Sequence, residues 1–180
     1  KGICEMTAEE LKAEILAKTA EYFRLAEAPK QAAAFEPGTS RVNYAGRVFD
    51  EKEMVNLVDS ALEFWLTHGR WSRQFEEGLA KYLGTRFCLF VNSGSSANLL
   101  AFATLTSPLL GERRVERGDE VITVAAGFPT TVAPVVQYGA VPVFVDVELE
   151  TANVDASQLE TAWSPRMKAV MLAHTLGNPF

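Results

Sequence analysis

Two cysteines, Cys4 and Cys88, in 180 residues are too few for a disulfide framework or a self-contained metal site. Histidine is equally scarce, present only at His68 and His174. An excess of basic charge is also missing. The formal net charge is −6, and without a basic patch a nucleic-acid backbone is excluded as the main partner. No apolar run approaches the ~20 residues of a membrane-spanning helix. Residues 1–10 lack the apolar stretch of a secretory signal, so the expected compartment is cytoplasmic. What remains is an ordinary globular composition, 48% hydrophobic and 22% charged, long enough for one domain with a real core. Cys88 falls in an apolar run and reads as a small core residue.

Local signals organise the chain into two parts. Thr7 with Glu10 forms a capping-box pattern, and Leu11, Ile15, Leu16, Tyr22 and Phe23 follow at helical spacing to about Glu27. Residues 28–46 contain Pro29, Pro37, Gly38 and Gly46 and read as a linker or extended arm. Asp50 with Glu53 resembles a second cap, with Met54, Leu57, Val58, Leu62 and Trp65 as an apolar helical face ending at Gly69. Ser72 reads as the cap of a third helix bearing Phe75, Leu79 and Tyr82, closed by Gly84.

From Phe87 the pattern alternates strand with helix. The expected strands are 87–91, 121–124, 141–147 and 168–173. Between them, helices are expected over 95–105 and from Pro129 to about Tyr138, with a short one starting at Asp155 or Ser157. This alternation predicts an α/β fold with a mainly parallel sheet and flanking helices, preceded by an N-terminal helical arm. The expected division is an arm over 1–46 and the first part of a large α/β domain over 47–180. An α/β domain of this kind is expected to continue beyond the strand that precedes His174.

Chemistry concentrates in two turns. Asn92-Ser93-Gly94-Ser95-Ser96-Ala97 lies between an apolar run and a helix. The free N–H groups and positive dipole of a helix's first turn hold anions, Ser95 and Ser96 add hydroxyls, and Gly94 allows close approach. Phosphate binding and plain N-capping are both readings of this turn. It is neither a Walker A loop nor a dinucleotide fingerprint. Phe128, between Gly127 and Pro129, sits in the loop after a strand, where α/β sheets bind ligands. It either stacks on a flat aromatic ligand or plugs the core. Asp146 reads as a strand-terminating residue, His174 as a structural histidine or a cofactor contact at the same sheet edge, His68 as a helix-end cation, and Gly69-Arg70-Trp71 as an exposed-looking turn that faces a nucleotide, faces a partner subunit or is a helix–helix corner.

Taken together, these motifs resemble the DegT/DnrJ/EryC1/StrS sugar aminotransferase family, a branch of the fold-type I pyridoxal-phosphate enzymes. The matching segments are Phe49–Met54, Gly69–Trp71, Phe75-Glu76, Tyr82–Gly84, Asn92–Ala97, Gly118–Ile122 and Gly139–Asp146. Tyr44–Asp50, Phe64–Leu66, Asn98, Ala126–Thr131, Ala173–Phe180 and the long N-terminal helix and arm resemble the branch that dehydrates CDP-4-keto-6-deoxyglucose at C3. The resemblance implies that Gly94, Ser95 and Ser96 hold the phosphate of pyridoxamine 5′-phosphate or pyridoxal phosphate, and that Phe128 covers its pyridine ring. It also implies a [2Fe-2S] cluster with ligands outside this chain, a nucleotide-linked keto-sugar substrate, an electron-transfer reductase and a homodimer. The proton-moving lysine or histidine and the pyridine-nitrogen aspartate are expected after Phe180. A sugar aminotransferase and a non-catalytic relative of the same fold are the alternatives.

Overall fold

The computed structural model describes residues 6–43 and 45–180, which fall into two compact units dividing between Phe90 and Val91. Cys4 and Tyr44 lie outside the described residues.

In the first unit, helix α1 spans Ala8–Ala26 and starts with the expected box. The Thr7 hydroxyl accepts the Glu10 N–H while the Glu10 carboxylate accepts the Thr7 N–H. The supposed linker begins with a short helix, α2, Ala28–Gln31, because Pro29 suits a first helical turn. Helix α3, Glu51–Glu63, is opened by the Asp50–Glu53 box and packs on α1. It ends two residues before Trp65, because Phe64 takes a left-handed conformation with φ 50°. Helix α4, Arg70–Leu83, begins earlier than the sequence suggests. Gly69 is its cap, and Ser72 lies inside it. A Cβ on Gly69 would stand 2.6 Å from Trp65 Cδ1, so only glycine admits the indole there. Gly84 closes α4 at φ 68°, a left-handed position that costs glycine little.

Among the described residues, the expected strand over 87–91 does not form. The apolar run is extended, but a strand needs a ladder partner, and no described residue pairs with it. It is held instead by α4. The Phe90 N–H donates to Glu76 Oε1 at 2.8 Å, and the Phe90 ring meets Phe75 edge-on at 5.3 Å. Cys88 is accordingly half-buried rather than a core residue.

The second unit is the α/β part. Helix α5, Gly94–Leu105, precedes β1, Glu120–Val124; α6, Pro129–Gln137, leads to β2, Val141–Val145; α7, Leu159–Ala162, leads to β3, Met167–Val170. A 3-10 turn, Pro108–Arg113, follows α5 on the way to β1. All three strands are parallel, in the order β2-β1-β3. Pro142, which cannot donate to a ladder, therefore sits in an edge strand, where it is tolerated. Every residue of β1 is buried, as a central strand covered on both faces must be. Val121 packs with Phe102, Val115, Val135 and Ala140 on one side. Ile122 and Val124 pack with Val145 and Met167 on the other, the two-residue alternation of a strand. The parallel α/β class read from the sequence is the class observed.

Strand order reverses at β1. The chain leaves β1 through α6 to reach β2 on one side, then crosses to β3 on the other. In open parallel sheets, such a reversal places a ligand crevice beyond the carboxyl ends of the strands. The Ala125–Phe128 loop follows directly from that end of β1.

Candidate functional site

Helix α5 opens with Ser93 as its cap. The Ser93 Oγ accepts the Ser96 N–H at 3.1 Å, and the Ser93 carbonyl accepts the Ala97 N–H at 3.0 Å. The Ser96 hydroxyl donates to Asn92 Oδ1 at 2.6 Å. Ser93 and Asn92 thus build the turn, a role the motif hides because Ser93 looks equivalent to the serines after it. Ser96 has both donors engaged locally, and its oxygen accepts the Ser93 hydroxyl at 3.2 Å. Gly94 and Ser95 differ. Among the described residues, neither N–H nor the Ser95 hydroxyl has a hydrogen-bond partner. Both residues are exposed. A Cβ at Gly94 would meet nothing within 4 Å, so the space beside it is open. Free donors at the positive end of a twelve-residue helix suit an anion.

The second turn lies close by. Ser95, Ser96 and Leu99 of α5 share a cleft of about 210 Å³ with Thr130, Ala133, Pro134 and Gln137 of α6. Asn98 Nδ2 reaches the Thr130 carbonyl at 3.4 Å. Phe128 caps α6 with its carbonyl accepting the Thr131 N–H at 2.9 Å. Phe128 is 69% exposed, so among the described residues it fills no core. A large exposed aromatic ring beside a cleft is available to a flat ligand.

The remaining candidates are local. Asp146 does end β2 structurally: Oδ1 accepts the Val147 N–H at 2.8 Å, and its own N–H donates to Gln158. His174 packs against Phe180 with the rings tilted by 49° and 4.5 Å between centroids, and its Nδ1 accepts the Phe180 N–H at 3.4 Å. His68 Nε2 lies 3.0 Å from Glu76 Oε2. The Phe90 N–H foremost, and then His68, hold the Glu76 carboxyl below the usual glutamate range. Gly69-Arg70-Trp71 opens α4 with Arg70 exposed and Gly69 half-buried. Arg70 lies 4.3 Å over the ring of Trp71, which is half-buried, and pairs with Asp59 and Glu63. Asp59 also pairs with Lys12, whose hydrogen bond foremost, followed by that of Arg70, lowers the Asp59 carboxyl. Among the described residues, no group of three or more His, Cys, Asp or Glu side chains could hold a metal ion. None of the described helices is long and apolar enough to cross a membrane.

The fold defines the parallel α/β class, here with a helix start that suits an anion and an exposed aromatic at the switch edge. Sequence comparison narrows it. The profile of the DegT/DnrJ/EryC1/StrS aminotransferase family matches residues 48–180, and the chain belongs to that family. It is 51% identical over 175 residues to the lipopolysaccharide biosynthesis protein RfbH of Salmonella typhimurium, covering 97% of this chain and 39% of that protein. It is 51% identical over 166 residues to the dTDP-4-dehydro-2,6-dideoxy-D-glucose 3-dehydratase of Saccharopolyspora spinosa, covering 92% of this chain and 35% of the enzyme. The solved E. coli GDP-4-keto-6-deoxy-D-mannose-3-dehydratase with bound hydrated pyridoxal phosphate superposes with a TM-score of 0.62 at 34% identity. That match covers 73% of this chain and 34% of the enzyme. The chain therefore spans little more than a third of these relatives' length, and its fold is that of pyridoxal-phosphate-dependent dehydratases and aminotransferases.

The residues present fit the phosphate and one ring face of such a cofactor. Two unengaged backbone donors and a free hydroxyl stand at a helix start with open space beside Gly94, and Phe128 offers an exposed ring.

Proposed function

We propose that this chain is the N-terminal part of a pyridoxamine-phosphate-dependent enzyme that removes the C3 hydroxyl of a nucleotide-linked 4-keto-6-deoxyhexose, with a CDP-linked sugar as substrate. The observation that carries this reading is the open, unengaged turn at Gly94-Ser95 in a chain half identical to a sugar-nucleotide 3-dehydratase. Here residues 1–46 serve as an arm, and 47–180 begin the large α/β domain.

The roles of the side chains follow from their geometry. The Gly94 and Ser95 N–H groups and the Ser95 hydroxyl donate to the cofactor phosphate. Ser96 holds the turn in shape through Asn92 and offers its oxygen only as an acceptor. Phe128 covers one face of the pyridine and keeps water from it. When bound, the cofactor would supply an amine for the sugar's 4-keto group and a ring that holds the electron pair left by a C4′ proton, which then drives the C3 oxygen out as hydroxide. The groups that move protons, a [2Fe-2S] cluster and its ligands, and the docking surface for an electron-transfer reductase belong to the remainder of the enzyme. That enzyme is a cytoplasmic homodimer acting in deoxysugar and lipopolysaccharide biosynthesis.

The rival reading is a sugar aminotransferase, favoured by the family's own description. Borohydride reduction of the full-length protein with pyridoxal phosphate separates them. A dehydratase that does not anchor its cofactor yields no modified lysine on peptide mapping and carries iron and labile sulfide. A trapped lysine in an iron-free preparation sinks the proposal.

A further inference from the structure

Helix α6 carries a proline in its interior, Pro134. In an α-helix the carbonyl of residue i accepts the N–H of residue i+4. For Thr130 that partner is Pro134, which has no N–H to give. The Thr130 carbonyl is thus released from its own helix, on a residue that is half-buried. Asn98 supplies a donor from α5, with Nδ2 at 3.4 Å. Among the described residues, this is the one side-chain hydrogen bond that joins α5 to α6.

Its placement gives it weight. Asn98 stands three residues after Ser95, about one helical turn. Thr130 stands two residues after Phe128. The tie therefore runs between the turn assigned to the phosphate and the turn assigned to the ring, beside the cleft that both helices line. Phosphate and pyridine are joined covalently, so one ligand uses both holds only if their separation is fixed. A looser separation costs ring orientation before it costs phosphate contact.

We propose that Asn98 is a positioning residue: through the carbonyl that Pro134 leaves free, it sets the spacing between the Gly94–Ser96 phosphate turn and the Phe128 platform. The inference rests on the cofactor reading of those two turns.

Two substitutions break the tie from opposite ends. Asn98→Leu removes the donor at nearly constant size and leaves a good helix former. Pro134→Ala restores an N–H that can reclaim the Thr130 carbonyl within α6, releasing Asn98 without altering it. Both are made in the full-length enzyme and titrated with pyridoxamine phosphate. The readouts are the dissociation constant and the circular dichroism induced in the bound ring, with inorganic phosphate as competitor. Both variants are expected to lose at least half of the ring signal and to bind pyridoxamine phosphate several-fold more weakly, while the inhibition constant of inorganic phosphate stays unchanged. A packing role alone would lower the melting temperature and leave the ring signal of the bound cofactor intact, and that result overturns the proposal. Ser95→Asp run in parallel separates the two levels. If it leaves cofactor affinity unchanged, the phosphate reading itself is wrong. If it abolishes binding while Asn98→Leu and Pro134→Ala keep the wild-type ring signal, only the positioning role falls.

Discussion

Ser95→Asp is expected to have opposite effects on stability and on cofactor binding. Ser95 is the second residue of α5, exposed, with its N–H and hydroxyl unengaged. A carboxylate there faces the positive end of the helix, which favours it by about 0.3–1 kcal/mol at an exposed site. The apo protein should therefore melt at the same temperature or slightly higher. A phosphate at the same donors meets that carboxylate at roughly 5 Å. Two unit charges at that distance repel by about 1 kcal/mol in water and about 3 kcal/mol at an effective dielectric near 20. A phosphate carrying close to two charges and losing one hydroxyl donor should lose about 2–4 kcal/mol, or roughly 30- to 1,000-fold in affinity. Fluorescence titration of the full-length protein with pyridoxamine phosphate measures the second effect, and a thermal melt without cofactor measures the first. Raising the salt concentration should narrow the difference, since exposed charges are screened. Wild-type affinity in a variant that melts normally would refute the assignment of this turn. A collapse of stability in the apo protein would refute the account of the helix start.

Three further outcomes test other parts of the account. Phe128→Ala should change the melting temperature little, because an exposed side chain buries little area, yet it should weaken cofactor retention and shift the cofactor absorbance; unfolding with normal cofactor content would show a packing role instead. Gly69→Ala pushes a methyl group into Trp65 and should cost about 1–3 kcal/mol by denaturant melt, with a changed tryptophan fluorescence; a neutral effect would mean that the indole moves freely. Glu120 is held below its ordinary value of 4.5 by hydrogen bonds from Ser164 foremost and from Arg166. A depressed carboxyl adds stability above its unfolded value and loses it as pH falls through the folded one. The advantage of the wild type over Glu120→Gln should be constant near neutrality and shrink below about pH 4.5. An advantage that does not change between neutrality and strong acid would contradict the ionic role.

What could be read from the sequence was what short-range chemistry determines. Both capping boxes involve residues three apart, so Thr7–Glu10 and Asp50–Glu53 announced α1 and α3. The alternation of strands with helices gave the parallel sheet, because parallel neighbours need a long crossover connection between them. Pairing is not local, and there the reading stopped. Residues 87–91 have the composition of a strand, but a ladder depends on a partner elsewhere, and among the described residues the Phe90 N–H goes to Glu76 instead. Ser72 looked like a cap because serine often is one; Gly69 is the cap, and the steric reason lies in Trp65, four residues back. At the candidate site, the sequence singled out Gly94, Ser95, Ser96 and Phe128. It did not show that Ser93 and Asn92 engage Ser96, nor that Phe128 is exposed. The tie from Asn98 to Thr130 spans 32 positions, and only the missing N–H of Pro134 hinted that a carbonyl needed a donor.

The central claim concerns which bond of the sugar is broken. It is tested by mass spectrometry of the sugar nucleotide after the full-length enzyme is incubated with pyridoxamine phosphate, CDP-4-keto-6-deoxyglucose, glutamate, an electron-transfer reductase and a reduced nicotinamide dinucleotide as two-electron donor. The account predicts a sugar that has lost its C3 oxygen and gained no nitrogen. A sugar that keeps its C3 hydroxyl and carries a new amino group at C4 would contradict it.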